Sequence, residues 1–510
     1  MPHSLHDAAA HVRRRLRSLT ALALLLTVAV AGCSVGQAPL APIDNPGLRP
    51  AAATSDWRMF GYDPARSGVD PSPSSISPQT APRLTKLWQV RLPDVADSSP
   101  ILLHALRFPG ATRDVLYLTT RDGRLLAVDA SDGALLWRQQ PRGPKITHSS
   151  PVADASHSAI YAYGLDGAVH RYDPVTGNEI TGHGWPAPIT RMTQTEKESS
   201  ALNLANGRLY VTTSGYIGDA PPYQGHVVTV DTATGAERVF NSLCSTTRRL
   251  LGPGGCAAQM SGIWSRGGAV IDPQNGDIFV DTGNGPFDAN QGGVNYGDSI
   301  LRLAPDGSRL LDSYTPPNFQ TLADTDADLG SSAPALLPRI DASATPLLLA
   351  QGGKDGQFRL FNRQDMSGQG GPGHVGGELQ AIDLGCALFT QPVVWTDPAT
   401  RQIWVIVATT CGMRAFQART DASGVTRLAQ VWRNDDTMTS PILAGGVLLA
   451  AGSGALRAYD PTTGRLLWRS DQASAHGGIG DIHWESPIAV NGAVYIADEN
   501  ATLTCYGLTS

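Results

Sequence analysis

The stretch Val115-Leu-Tyr-Leu-Thr119, Asp122-Gly-Arg-Leu-Leu-Ala-Val-Asp129, Asp132-Gly-Ala-Leu-Leu-Trp137 decides the fold. Short apolar runs alternate with Asp-Gly turns. Runs of about four to eight residues bounded by such turns read as antiparallel strands and are too short for helices. Glycine serves these turns because a tight hairpin needs positive φ. The unit returns almost unchanged as Val447-Leu-Leu-Ala-Ala451, Ser453-Gly-Ala-Leu-Arg-Ala-Tyr-Asp460 and Thr463-Gly-Arg-Leu-Leu-Trp468. Self-similarity of this kind marks a repeat array.

Working outward, each unit opens on a short strand at a Ser/Pro signature. The openings are Ser98-Ser-Pro100, Ser149-Ser-Pro151, Ser199-Ser-Ala201, a degenerate stretch near Ser265, Ser331-Ser-Ala-Pro334, Thr390-Gln-Pro392, Thr439-Ser-Pro441 and Glu485-Ser-Pro487. Four strands per unit make a propeller blade, so the expectation is an all-β, eight-bladed β-propeller of four-stranded antiparallel blades. The last unit has only three strands, ending at Ala501-Thr-Leu-Thr-Cys505-Tyr506. An orphan outer strand, Leu84-Thr-Lys-Leu-Trp88-Gln-Val90, precedes the first unit. It is expected to complete the eighth blade and so remove the gap between the chain's two ends. Trp88, Trp137, Trp432 and Trp468 fall at equivalent outer-strand positions and are read as packing against the next blade.

Composition agrees. The chain has 510 residues, 41% hydrophobic and 16% charged, which excludes a disordered chain and requires more than one ordinary core. The net charge of −6 without a basic stripe argues against nucleic acid as a partner. Arg13, Arg14, Arg15 and Arg17 precede an apolar run, Leu19 to Ala31, that is too short to span a bilayer and ends in Val30-Ala31-Gly32-Cys33. Residues 1–33 read as a signal peptide, residues 34–55, rich in Pro and Ala, as an extended tether, and residues 56–510 as the propeller. Of the five remaining cysteines, Cys244 and Cys256 share one long loop, Cys386 and Cys411 flank a predicted strand, and Cys505 is left as a buried free thiol. These pairings are preferences among many connectivities.

The repeat resembles the pyrroloquinoline quinone (PQQ) type eight-bladed propellers, shared by quinoprotein alcohol dehydrogenases and outer-membrane assembly lipoproteins. The resemblance covers residues 56 to 510 and includes the opening Asp56-Trp57-Arg-Met-Phe60-Gly61-Tyr-Asp63-Pro-Ala-Arg66-Ser-Gly68. The end of the leader resembles a bacterial lipoprotein signal, with Cys33 as the lipidated residue. Ser34 after it implies a lipid-anchored protein of the cell envelope, at the outer membrane and facing the periplasm. Three further stretches resemble the dehydrogenases. They are Gly262-Ile-Trp264 with Thr282-Gly-Asn284-Gly285, Asp324-Thr-Asp326-Ala-Asp328, and Gly353-Lys354-Asp355-Gly356. By that resemblance Trp264 floors a quinone, Asn284 ligates calcium, Asp326 or Asp328 is the catalytic carboxylate with a share in the metal, and Lys354 stands over the quinone carbonyls. Asp219, in Tyr216-Ile-Gly218-Asp219, is the candidate for a further calcium ligand that also contacts the cofactor.

The chemistry accounts for these residue types. PQQ is a flat polyanion that needs a ring to stack on and cations for its carboxylates, and Ca²⁺ takes about six to eight oxygens. Adjacent cysteines, which the dehydrogenases often carry, do not occur, and no Cys-x-x-Cys-His offers a c-type haem. Each residue also has a plain reading: Thr-Gly-Asn as a turn, 324–328 as a solvated or structural loop, Asp355-Gly356 as a hairpin, Trp264 as core, and His148, His183 and His483 as hydrogen-bonded structural groups. The expectation is a lipid-anchored binding module with a PQQ/Ca²⁺ site, degenerate or intact, that takes a small ligand or an envelope protein. The first alternative is a PQQ- and calcium-dependent dehydrogenase of an alcohol or sugar that passes electrons to an external acceptor. The second is an outer-membrane assembly scaffold.

Overall fold

Alternating apolar runs and glycine turns produce short antiparallel strands, and these assemble into eight radial sheets in a computed structural model. It describes residues 38–509 apart from 45–46, 144–145, 217–219 and 476. The leader, Cys33 and Asp219 lie outside the described residues. Blade 1 is Ile101–Phe108, Ala111–Thr119, Leu125–Asp129 and Leu135–Arg138, each strand hydrogen-bonded to the next. Blade 7, its near-copy, is Ile442–Ala444, Val447–Gly452, Ala455–Tyr459 and Leu466–Arg469. The inner strands of blades 2 to 6 begin at Val152, Asn203, Val270, Ala335 and Val393, and in blade 3 Glu196–Glu198 also pairs with Arg208–Gly215.

Closure is as the sequence requires. Blade 8 is Ile488–Val490, Ala493–Asp498 and Thr502–Gly507, and its outer strand is Thr85–Arg91, paired antiparallel to Thr502–Gly507. Residues Ala41–Asp44, from the Pro-rich stretch, add a fifth strand outside it. Among the described residues no helix is long and apolar enough to cross a membrane.

At three joints an outer-strand tryptophan bolts one blade to the next. Trp137 donates its indole N–H to the Pro174 carbonyl of blade 2 at 3.0 Å, and Trp432 to that of Pro461 of blade 7 at 2.9 Å. Trp88 reaches the Ala130 carbonyl at 3.2 Å across the closure. Each ring lies on a turn glycine of the next blade, Gly177, Gly464 or Gly133, where an added Cβ would fall within 2.7 Å of a side-chain atom. These glycines also have positive φ, so both space and backbone demand glycine. Trp468 is different. It packs edge-on to Tyr506, and its buried N–H has no hydrogen-bond partner among the described residues. The outer strand of blade 8 comes from the other end of the propeller, so no hairpin turn stands there to receive it.

The far end of the axis is stoppered by the segment 57–68. Its backbone pairs with the inner strands of blades 1, 2, 4, 6 and 7 through Leu102, Ala153, Ile271, Val394 and Leu443. Arg66, fully buried, spends its guanidinium on the carbonyls of Phe60, Ala201, Leu202 and Gly267. Burial lowers its pKa to about 9. Disulfides join Cys244 to Cys256 and Cys386 to Cys411, and Cys505 is a buried free thiol.

Candidate functional site

Three stretches far apart in sequence meet beside the axis. Trp264 precedes the inner strand of blade 4, and Asn284 follows that blade's second strand. Lys354 sits in the hairpin between Leu348–Gly352 and Gln357–Asn362 of blade 5. The Asp-rich stretch differs from the loop expected of it. Phe319–Thr325 is a short helix, and Asp326 caps its C-terminus in the left-handed region at φ 54°. The Leu322 carbonyl accepts the Asp326 backbone N–H and the Thr321 carbonyl accepts the Thr325 hydroxyl, so the helix reaches up to the first carboxylate of the site.

Lys354 Nζ lies 2.8 Å from Asp326 Oδ1, 2.6 Å from Asp328 Oδ2 and 5.3 Å from the Trp264 ring centroid. The backbone N–H of Asn284 donates to Asp328 Oδ1 at 2.5 Å. Gly283 permits this approach, since a Cβ there would stand 2.8 Å from Asp328 Oδ1 and 3.0 Å from the Trp264 indole nitrogen. Thus Trp264, Asn284, Asp326, Asp328 and Lys354 form one cluster. Burial raises the Asp328 pKa against the pull of Lys354. Burial would depress Lys354, but the two carboxylates more than offset it and hold it charged. Asp355 is a hairpin residue ion-paired to Arg359, as its plain reading has it.

Trp264, Asp328 and Lys354 of this cluster form one wall of a cavity of about 280 Å³ lined also by His148, Lys197, Tyr216, Arg266, His483 and Trp484. Lys197 is buried, makes no ion pair or hydrogen bond with the described residues, and lies 5.3 Å from the Tyr216 ring centroid. Burial lowers its pKa to about 8. Arg266 is fully buried over the Trp484 ring and gives its N–H groups to the carbonyls of Asp97, His148 and Ser199. Glu198 is also fully buried, with the Ser149 hydroxyl and the Ser200 backbone N–H as neighbours, and burial raises its pKa to about 8, which favours the neutral carboxyl. Trp264, Phe389 and Trp484 form an aromatic triangle with centroids 6.0–6.2 Å apart. It separates this cavity from a more apolar one lined by Thr390, Thr410, Met438 and Ser440.

Sequence reasoning missed Lys197, Glu198, Arg266, Asp97 and Trp484, and read His148 and His483 only as structural groups. A signal was present. Asp97, His148, Glu198, Phe389, Met438 and Trp484 all stand three residues before the Pro, or Ala201, that opens the inner strand of their blade. One repeat register therefore supplies a ring of residues around the axis, titratable in blades 1 to 3 and apolar in blades 6 to 8.

A flat polyanionic quinone meets the demands of this cavity, because flat aromatic walls and a buried ammonium unpaired among the described residues are both present. Calcium is served less directly. Asp326 and Asp328 already close on Lys354, so an ion drawing on them and Asn284 would have to displace that ammonium.

A family model described as outer membrane protein assembly factor BamB matches residues 85–277 and 389–510, more than half of the chain. The stretch between the two matches carries Asn284, Asp326, Asp328 and Lys354. Quinohemoprotein alcohol dehydrogenase ADH IIB of Pseudomonas putida is 25% identical over 276 residues, which span 49% of this chain and 38% of that protein. The chain thus matches less than half the length of this curated relative. Among solved structures, quinohemoprotein alcohol dehydrogenase ADHIIG from Pseudomonas putida HK5 aligns with a TM-score of 0.63 at 16% identity, over 89% of this chain and 80% of its own. The quinohemoprotein alcohol dehydrogenase of Comamonas testosteroni gives 0.61 at 14% identity, over 90% and 81%. At these identities the likeness is one of fold. The closed eight-bladed ring, the blade-by-blade repeat and the family match together place this chain in the BamB-type family of PQQ-like β-propellers.

Proposed function

We propose that the axial cavity binds a flat aromatic polyanion of the pyrroloquinoline quinone class, making the protein a quinone-binding module of the bacterial cell envelope. The observation that carries this reading is Lys197, a buried cation without a partner among the described residues, in a cavity that Trp264 and Trp484 also line. A buried ammonium in that state is favourable only where an anion completes it. Trp264 and Trp484 supply ring faces, and Lys354 adds a second cation at the rim. The leader reading makes Cys33 the lipid-bearing residue. Cys33→Ala is then expected to move the protein from the membrane fraction to the soluble one, and retention in the membrane would refute anchoring there.

The decisive experiment mixes purified protein with PQQ, with and without Ca²⁺, and measures the quinone retained after desalting. One quinone per chain is expected at pH 7, and less at pH 9, where Lys197 has lost its proton. Lys197→Met is expected to lose at least about tenfold in affinity, or about 1.4 kcal/mol. No retained quinone in the wild-type protein would end this reading.

A second reading, a PQQ-dependent alcohol dehydrogenase, is favoured by Asp328. Its carboxylate is buried, raised in pKa and at the cavity wall, which suits a group that takes a proton from a bound alcohol. The bound quinone would supply the oxidising chemistry, and an external acceptor would take the electrons. Dye reduction across an alcohol panel, lost in Asp328→Asn while quinone is still retained, separates enzyme from binding module.

A further inference from the structure

A single carboxylate oxygen on the wall of the same cavity receives two imidazoles. Asp97 Oδ2 lies 2.7 Å from His148 Nδ1 and 2.7 Å from His483 Nδ1. Asp97 Oδ1 accepts the Trp484 backbone N–H at 3.0 Å. The three residues precede the inner strands of blades 1, 2 and 8, with His483 separated from Asp97 by 386 positions in sequence. Only ring closure brings them together. The Asp97 side chain is fully buried, His148 nearly so, and His483 is half exposed toward the cavity.

More oxygen donors stand beside them. Carboxylate oxygens of Asp97, Glu485 and Glu499 lie within 4.8 Å of one another. Glu485 is completely buried. One of its oxygens accepts the His483 backbone N–H at 2.7 Å, and the other has no partner among the described residues. Glu499 likewise has one buried oxygen without a partner. Two carboxylates that each hold an unpartnered buried oxygen thus stand beside Asp97, the residue that both imidazoles share, and a cation is what such a group lacks.

We propose that Asp97, His148 and His483 bind a divalent transition-metal ion of the zinc or cobalt type, with Glu485 and Glu499 beside the Asp97 carboxylate. Two imidazoles and one carboxylate suit first-row divalent ions and are poor for calcium, which takes oxygen ligands. Ligand atoms about 2.0–2.1 Å from a tetrahedral ion stand roughly 3.3 Å apart. The present contacts are shorter because the two Nδ1–H protons occupy the space between the atoms. Binding moves each proton of a neutral ring to Nε2 and frees Nδ1 for the ion, with His483, the exposed partner, supplying the small displacement. The ion's open face then looks into the cavity, leaving a position for water or a ligand oxygen. The inference does not depend on the quinone reading.

The test uses the full chain stripped with a chelator. Zinc retained after desalting is counted by elemental analysis, and Co²⁺ titration is followed by its visible absorption. One zinc per chain is expected, with a Co²⁺ spectrum of a nitrogen- and oxygen-ligated site that zinc bleaches. His483→Ala changes an exposed ring and spares the fold, and is expected to abolish retention, as is Asp97→Asn where it folds. Wild-type protein that retains no zinc, or His483→Ala protein that retains as much as wild type, overturns the proposal. Quinone retention, measured on the same stripped protein, reports separately on the quinone reading.

Discussion

The rim and the axis of this propeller are built from the same repeat and use it in opposite ways. At the rim, Trp88, Trp137 and Trp432 perform one task three times, each indole resting on a glycine turn and donating to a carbonyl of the next blade. At the axis, the register three before the opening Pro holds Asp97, His148, Glu198, Phe389, Met438 and Trp484, no two alike. Rim contacts are made between neighbours, so one solution can be copied around the ring. Axial side chains all meet at one place, where copies of one residue would repel or overfill. Together they make the axis asymmetric, with His148 and Trp484 on the polar cavity and Phe389, Met438 and Trp484 on the more apolar one beside it.

This contrast predicts its own largest effect. Trp137→Ala removes a buried ring and its hydrogen bond, and should cost about 3–5 kcal/mol of stability by urea unfolding. Trp484→Ala removes the same side chain from the edge of a cavity and should cost about 1 kcal/mol or less, while quinone retention is lost. Equal destabilisation by the two would erase the distinction between rim and axis.

The same contrast explains what the sequence made legible. Repeated signals, the Asp-Gly turns, the outer Trp and the orphan strand Leu84–Val90, lead directly to eight blades and their closure. The cluster of Trp264, Asn284, Asp326, Asp328 and Lys354 was legible because it interrupts the repeat with residue types that blades do not need. Lys197, Glu198 and Arg266 were not legible as a group. Each looks like an ordinary polar residue of a blade opening, and only the curvature of the closed ring turns them inward. The helix Phe319–Thr325 was hidden for a local reason: seven residues are too few to show a helical period.

Glu198 gives an intermediate effect that belongs to the axis alone. Its pKa is about 8 in the fold, against about 4.3 for an unfolded carboxyl, so the fold favours the protonated form. The stability associated with that proton is full below about pH 4 and is lost as pH rises toward 8. Glu198→Gln keeps the neutral shape at every pH. Its Tm should equal that of the wild type near pH 4 and exceed it by a few degrees at pH 8.5, on the order of 1–3 kcal/mol. A rim carboxylate such as Asp421, whose pKa is lowered by hydrogen bonds from Ser423 and Val425, should show no such gain at high pH. A pH-independent difference for Glu198→Gln would mean that its carboxyl is not buried as described.

The smallest effect tests the rim against itself. Trp432 donates to the Pro461 carbonyl, whereas the buried Trp468 N–H donates to nothing among the described residues, because the closing blade has no turn to meet it. Trp→Phe at either site removes similar apolar area. At 432 it also leaves a buried carbonyl without its donor, and at 468 it removes an unsatisfied donor. Trp432→Phe should therefore be the more destabilising by about 1 kcal/mol. Paired unfolding curves measure the difference directly. If Trp468→Phe proved as costly as Trp432→Phe, the indole at the closure would have to be bonded after all, and the eighth joint would be a copy of the others and not the exception that closing the ring creates.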